Sequence, residues 1–236
     1  MAIAAAGAVV RAGEPEEAVS LTDTTVQSDQ GAAILAAGGI ANVSLTGSTV
    51  TGASAAIDST TGTVPSLLTV TADHSTLNGV VTTDAGSTTT LALTDASRWN
   101  VTGDSTLTTL TNANSLIDFQ ASPSIGTAPT SATSYRAVNV TGNYSGAQGT
   151  VAVNTWLNAG GSLSAQFTDR LLIAGSASGV TYVDVKPVSG SPGGLTAPND
   201  VIDAAEGILL KNSFRSVAAM VFWPVGLVCR SCRCRN

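Results

Sequence analysis

Charged and aromatic side chains are scarce in this chain of 236 residues. Only 11% of the residues are charged and 4% are aromatic, whereas 43% are hydrophobic. Surface helices depend on Glu, Lys and Arg to solvate their outer face, and disordered tracts are normally much less apolar. The composition therefore argues against both a helical protein and an unfolded one.

Basic residues are few and unevenly placed. Residues 1–210 contain five of the 10 bases and all 16 acids, whereas residues 211–236 contain the other five bases and no acid. Binding to nucleic acid needs a cationic face that neutralises phosphates. We therefore expect no nucleic-acid partner for the acidic body of the chain.

Cysteine and long apolar runs are missing from the body as well. All three cysteines lie in the last eight residues, at Cys229, Cys232 and Cys234, so no disulfide can form before them. The apolar start of the chain lacks the basic residues of a signal peptide. Residues 217–228 are apolar but are interrupted by Pro224, and the run is too short for a transmembrane helix.

Small, β-branched and turn-forming residues fill the chain instead, which predicts an all-β protein. Two apolar residues separated by one residue and followed by Thr recur at steps of 22–25 residues, at 19–22, 43–46, 68–71, 91–94 and 138–141, with a weaker copy at 116–118. A fixed period of this length is typical of repeat architectures, in which stacked units bury a continuous core. The pattern favours a parallel β-solenoid, and an antiparallel β-sandwich is the alternative.

Three stretches in the second half resemble a known family. They are SRWNVTGDSTLTTLTNANSLIDF at 97–119, YRAVNVTGNYSGAQGTVAVNTWLN at 135–158, and the segment 168–210, which begins TDRLLIAGSASGVTYVDV. The first is similar to the last solenoid rungs of pertactin-like autotransporter passengers. The other two are similar to the autochaperone segment of that family. The matching motif residues are Asp169, Arg170, Leu171, Ile173, Gly175, Gly179, Thr181, Gly207, Ile208, Leu209 and Leu210.

The resemblance implies a right-handed parallel β-helix with a C-terminal autochaperone cap, exported to the surface of a bacterium. The expected organisation is an unstructured segment or partial rung at 1–17, rungs at 18–134, the cap at 135–210 and an atypical basic tail at 211–236. The implied partners are the parent's own C-terminal outer-membrane β-barrel and an unknown surface ligand, which the passenger binds as a monomer. Adhesion is the implied role, at the cell surface, in the outer membrane or after secretion.

Two features depart from the family pattern. Residues 1–17 lack the pattern of a signal peptide, and residues 211–236 lack the alternating strands that we expect of a barrel. The abrupt change of composition at Lys211 favours a shifted reading frame, so that the chain is truncated before the barrel. The alternative is a genuine cationic tail that binds an anionic surface.

No motif in the chain predicts a catalytic residue, a cofactor or a metal. Asp104 and Ser105 follow Gly103 as in a serine-protease motif, but Thr106 stands where Gly is needed, and His74 is the only possible base. The scattered Asp residues lack the nonapeptide pattern of calcium-binding rolls, and the three cysteines lack a fourth zinc ligand. We therefore predict a non-enzymatic protein. A polysaccharide lyase or hydrolase built on a β-solenoid is the alternative, and exposed Asp pairs one rung apart would favour it.

Overall fold

The computed structural model describes residues 2–5, 10–12, 16–156, 167–191, 210–211 and 217–218, with side chains for 16–156 and 167–191. The described residues form strands joined by tight turns, and two short 3-10 helices are the only helices among them. The strands are β1 (Ala2–Ala5), β2 (Val10–Ala12), β3 (Glu16–Thr22), β4 (Thr25–Ser28), β5 (Ala32–Ala37), β6 (Gly39–Thr46), β7 (Thr49–Gly52), β8 (Ala55–Thr60), β9 (Ser66–Asp73), β10 (Thr76–Asn78), β11 (Val81–Thr83), β12 (Thr88–Thr94), β13 (Arg98–Val101), β14 (Ser105–Leu107), β15 (Thr109–Ala113), β16 (Leu116–Phe119), β17 (Ala137–Val140), β18 (Tyr144–Trp156), β19 (Phe167–Thr168), β20 (Arg170–Ile173), β21 (Ala177–Pro187), β22 (Leu210–Lys211) and β23 (Val217–Ala218). The helices are η1 (Pro123–Gly126) and η2 (Ala132–Ser134), both in the excursion between β16 and β17.

Every third strand returns to the same face, so the chain winds as a coil. Face 1 stacks β3, β6, β9, β12 and β15, face 2 stacks β1, β4, β7, β10, β13 and β16, and face 3 consists of β2, β5, β8 and β11 together with β14, β17 and β20. Neighbouring strands in these stacks pair in parallel. The prediction of a parallel β-helix is confirmed, and the antiparallel sandwich is excluded.

One column of inward side chains forms the spine of the core. On face 2, seven successive coils place large apolar residues directly over one another, each at most 3% exposed: Val26, Val50, Leu77, Trp99, Ile117, Val151 and Val183. Trp99 is wholly buried, and its indole Nε1 donates to the carbonyl oxygen of Gly79 at 2.9 Å. Because each coil alone cannot cover its apolar face, stacking is needed to bury it, and this column supplies a large part of the hydrophobic stabilisation together with the inward residues of faces 1 and 3.

The register of the coils differs from the register that the repeat predicted. Val19 lies opposite Val43 as expected, but Val43 lies opposite Val70, where the repeat had aligned it with Leu68. The difference is two residues, and because side chains alternate with period two, the apolar residues still point inward. The extra residues lie in the loop between β8 and β9, whose length the alternation of apolar residues cannot reveal.

The repeat implied that all of its copies stack on one face, but two of them lie on faces 2 and 3. The copy that begins at Leu116 is β16, which stacks on β13 in face 2, and the copy that begins at Val138 is β17, which stacks on β14 in face 3. The series failed there because all three faces carry the same apolar alternation. None of the described helices is long and apolar enough to cross a membrane.

Candidate functional site at the C-terminal cap

Strand β18 is built differently from the strands of the earlier coils. It runs without a break through 13 residues, and it replaces two strands and the corner that joins them. Its first part pairs with β15, its second part pairs with β16, and β21 pairs along its opposite edge. A bulge at Ala147 and Gln148 lets the single strand follow the bend between faces 1 and 2. We call the segment from β17 to β21 the cap.

The corner that β18 replaces has a regular construction in the earlier coils. A residue with positive φ turns the chain, as at Asp23, Gly47, His74, Ala96 and Asn114. The next residue is a buried Ser or Thr, namely Thr24, Ser48, Ser75, Ser97 and Ser115. Each hydroxyl in the middle of this serine column accepts a backbone N–H from the coil before it. The distances are 2.9 Å from Ser48 N to Ser75 Oγ and 2.9 Å from Ser75 N to Ser97 Oγ.

The serine column ends at the cap. Gln148 has a φ of 61° and continues the series of turning residues, but Gly149 follows it where the earlier coils have Ser or Thr. A Cβ at Gly149 would meet the side chain of Asn112 at 2.3 Å, so no larger residue fits there without movement. This column was not predicted from the sequence, although the repeated GSTV, HSTL and NSLI signalled it.

A buried carboxylate joins three segments of the cap. Asp169 is 1% exposed, and its Oδ1 accepts the backbone N–H of Arg136 at 2.8 Å. Its Oδ2 accepts both the backbone N–H of Asn154 at 2.8 Å and the Asn154 side-chain Nδ2 at 2.6 Å. The same amide donates to the carbonyl oxygen of Phe119 at 2.9 Å. Asp169 therefore links the start of β17 and the end of β18 and, through Asn154, the end of β16.

Burial and hydrogen bonding act in opposite directions on this carboxyl. Desolvation raises the pKa of Asp169, while the N–H donors of Arg136 and Asn154 and the charge of Lys186 lower it, and the net shift is upward. Nearby, burial lowers the pKa of Arg136, and the charges of Asp169 and Asp104 oppose that shift. A guanidinium remains charged under such a shift because its ordinary pKa lies far above neutrality.

A second carboxylate connects the cap to the rungs on the outside of face 2. Asp118 is 7% exposed, and it accepts hydrogen bonds from Arg98 Nη2 and, at 2.6 Å, from Lys186 Nζ. Lys186 also donates to the carbonyl oxygen of Phe119 at 2.6 Å. Strand β18 lies between Asp118 of β16 and Lys186 of β21, and it places Ala152 next to Asp118. The small side chain of Ala152 leaves space for the lysine to reach across β18. The last strand of the cap is thus tied to β16 over the top of β18.

The glycines of the autochaperone motif allow close approach of two backbones. Gly179 has a φ of 84°, and a Cβ there would lie 1.7 Å from the carbonyl oxygen of Gly146. A Cβ at Gly175 would lie 2.5 Å from the carbonyl oxygen of Gly142. Only glycine fits these positions, where β21 and the turn before it lie against the preceding coil. Thr181 Oγ1 lies 2.8 Å from the hydroxyl of Tyr144 across the same contact.

The other motif residues are divided between the core, the surface and the part of the chain that is not described. Leu171 is buried over Val138, Ile173 packs against the core over Val140, and Arg170 is exposed over Ala137. Gly207, Ile208 and Leu209 lie outside the described residues, and Leu210 is described only as the first residue of β22.

The residues considered for catalysis do not come together. His74 lies in an exposed corner beside Asp73, and Asp104 and Ser105 lie at the start of β14 on face 3. Across the paired strands with described side chains, no Asp lies opposite an Asp of the adjacent coil. Within the same part of the chain, no group of three or more His, Cys, Asp or Glu side chains could hold a metal ion.

Comparison with known proteins agrees with this architecture. Residues 105–222, half of the chain, match the family model described as Autochaperone Domain Type 1. The matched segment begins with β14 and includes the coil of β15 and β16, the whole cap, and residues of the C-terminal segment as far as 222. No curated protein and no solved structure matches the chain significantly.

Proposed function

Because this chain belongs to the family of type 1 autochaperone domains of autotransporter passengers, we propose that its cap directs the folding of the β-helix that precedes it. The family implies a parent protein that is secreted or held at the outer membrane. Residues 135–210 would act as the folding nucleus, and the rungs at 18–134 would fold onto it.

The two-sided pairing of β18 is the observation that supports this role most strongly. A solenoid folds by propagation from a stable unit, because an isolated coil buries too little apolar surface to be stable. Strand β18 offers backbone partners to β15, β16 and β21 at once, and the Asp169 network joins its end to β16 and β17. A formed cap would therefore present edges for both faces 1 and 2 of the preceding coil.

Refolding kinetics of full-length variants test the nucleation role. Asp169→Ala weakens the cap. Most of its loss in free energy of unfolding should appear as a slower refolding rate, and its unfolding rate should be nearly unchanged. A variant that weakens a distant rung, Ser48→Ala, should leave the refolding rate nearly unchanged and accelerate unfolding. The opposite pattern in the two variants would mean that the N-terminal rungs form first and would refute the proposal.

We also propose that the rungs serve adhesion to an unknown surface ligand, with the passenger acting as a monomer. Outward positions of face 1 carry uncharged polar side chains in register, as in the column Asn42, Thr69, Thr90 and Thr109. Such a surface can form many hydrogen bonds at little desolvation cost of charge. Bacteria that display the full-length parent should attach to a host or neighbouring cell better than a strain lacking its gene. Equal attachment by the two strains would contradict the proposal.

A non-enzymatic role is part of the same proposal, and a polysaccharide lyase or hydrolase is the alternative. The separation of the His74–Asp73 pair from Asp104 and Ser105 and the lack of facing Asp pairs in the described coils support the non-enzymatic role. Incubation of the purified protein with a panel of acidic and neutral polysaccharides should release no new reducing ends. Release that depends on Asp73 or Asp184, whose carboxylates reach the surface on faces 1 and 2, would favour the alternative.

A further inference from the structure

A small recess on face 3 holds two of the few basic side chains of the body. Its volume is about 190 Å³, and its walls include Arg136, Arg170, Asp104, Tyr135 and Phe167. The recess exists because the position between the coils of Asp104 and Arg170 is occupied by Ala137, whose side chain is too small to fill it. The backbone N–H of Arg170 donates to the carbonyl oxygen of Arg136 at 2.9 Å, so the two arginines lie on adjacent coils.

The two arginines differ from the other bases of the cap and rungs. Arg98 and Lys186 both form ion pairs with Asp118. Among the residues with described side chains, neither Arg136 nor Arg170 forms an ion pair, although acids outnumber bases by 16 to 10 in the whole chain. Arg136, which lines the recess, uses Nη1 to donate to the carbonyl oxygen of Val101 at 2.8 Å, and this hydrogen bond holds its guanidinium in place. The remaining N–H groups of both forks are available to an anion.

The rest of the lining is suited to a sugar ring. The rings of Tyr135 and Phe167 stack with centroids 6.4 Å apart and give the recess an apolar wall. The Tyr135 hydroxyl donates to the carbonyl oxygen of Pro129 at 2.6 Å, which holds that ring in place. Asp104 Oδ1 accepts the backbone N–H of Ala137 at 2.8 Å, and its other oxygen can accept from a ligand hydroxyl.

We propose that this recess binds a carboxylated monosaccharide unit, of the hexuronic acid class. The arginine forks bind the carboxylate, Asp104 accepts a sugar hydroxyl, and the aromatic wall contacts the C–H face of the ring. The volume lies below the range of about 300–1,000 Å³ for drug-sized ligands, so the recess takes one ring rather than a longer chain. At physiological salt, screening over about 8 Å reduces the repulsion from the distant acids of the body.

Titration of the full-length protein with galacturonate, followed by the chemical shifts of its arginine and backbone N–H groups, tests this site. Galacturonate should shift resonances of Arg136, Arg170 and their neighbours, whereas neutral galactose should not. Arg170→Gln should weaken binding at least about tenfold, since it removes one charged fork. Ala137→Leu fills the recess without changing any charge and should abolish binding. Arg98→Gln removes an equal charge on face 2 and should leave the affinity unchanged.

Several outcomes would overturn the assignment. Absence of shifts with galacturonate excludes the site, and equal weakening by Arg170→Gln and Arg98→Gln shows nonspecific attraction. Acetate or inorganic phosphate that binds as tightly as galacturonate shows an anion site without sugar recognition. The site rests on the proposed adhesive role and gives it a ligand class, and the attachment assay is independent of this titration, so that failure of either proposal can be recognised separately.

Discussion

Replacement of Asp169 by alanine should destabilise the cap through two orphaned backbone donors. The carboxylate is the acceptor for the N–H of Arg136, in a part-buried hydrogen bond, and for the N–H of Asn154, in a buried one. The side-chain amide of Asn154 keeps the carbonyl oxygen of Phe119 as an acceptor. An unsatisfied buried donor costs about 1–3 kcal/mol, so the loss from two donors is about 2–6 kcal/mol. Removal of a desolvated charge offsets part of this loss, and we expect a net decrease of about 3 kcal/mol.

Urea denaturation followed by far-UV circular dichroism measures this decrease as a lower midpoint with an unchanged slope. Asp184→Ala is the matched control, because Asp184 is exposed on the neighbouring strand β21, and its free energy of unfolding should change by less than about 0.5 kcal/mol. Equal effects of the two substitutions would show that the buried network does not stabilise the cap.

The direction of the pKa shift predicts a pH dependence for the same residue. The pKa of Asp169 is raised by burial, so the native state binds a proton more tightly than the unfolded state, whose carboxyl has a pKa of about 3.9. Stability contributed by this group therefore increases as the pH falls through the raised pKa, and the increase is complete below the unfolded pKa. The variant Asp169→Asn cannot titrate at this position, so the free energy of unfolding of the wild type minus that of this variant should increase as the pH falls. A decrease would mean that the hydrogen bonds lower the pKa of Asp169 below its unfolded value.

Three further substitutions test individual contacts by denaturation. Gly179→Ala should lower the free energy of unfolding by more than about 2 kcal/mol because its Cβ would collide with Gly146, whereas Gly126→Ala, where a Cβ has nothing within 4 Å, should have little effect. Similar losses in the two variants would contradict the close packing of β21. Ser75→Ala should lower the free energy of unfolding by about 1–3 kcal/mol because the N–H of Ser48 loses its acceptor, and the control Ser44→Ala, at an exposed position, should be nearly neutral. A neutral Ser75→Ala would show that the serine column is dispensable. Lys186→Met should lower the free energy of unfolding by about 1–3 kcal/mol and reduce its dependence on salt, since the hydrogen bonds of Lys186 to Asp118 and Phe119 are lost. An unchanged denaturation midpoint would mean that these two hydrogen bonds do not stabilise the cap.

The class of fold was predictable from the sequence because each coil repeats the same demand. Val43 and Val70 are buried on face 1, Val19 packs against the same core, and alternation with period two reports that inward position in every coil. The exact register was not predictable, because a loop can gain two residues without moving any apolar side chain to the outside. The serine column was visible in principle, but a pattern of one small residue after a turn is weak until the coils are stacked.

The contacts of the cap were much less accessible. The resemblance named Asp169 as a motif residue, but its partner Asn154 is 15 residues away in the chain, and Phe119, whose carbonyl oxygen accepts from Asn154, is 35 residues from Asn154. Such long-range hydrogen bonds leave no local periodicity. The single strand β18 was equally hidden, because its bulge at Gln148 interrupts the alternation that would have marked it as continuous. The recess at Ala137 was hidden for a similar reason. It depends on a small residue that lies between two coils, and the excursion of η1 and η2 hides in the sequence how far apart along the chain those coils are.

The order in which the strands become protected during refolding tests the central claim most directly. Pulse-labelling hydrogen exchange on the full-length chain, read out by mass spectrometry of peptides, follows each strand separately. If the cap is the folding nucleus, amides of β18 and β21 should gain protection first, those of β15 and β16 next, and those of β3 and β6 last. Protection of β3 and β6 before or together with β18 would contradict the account.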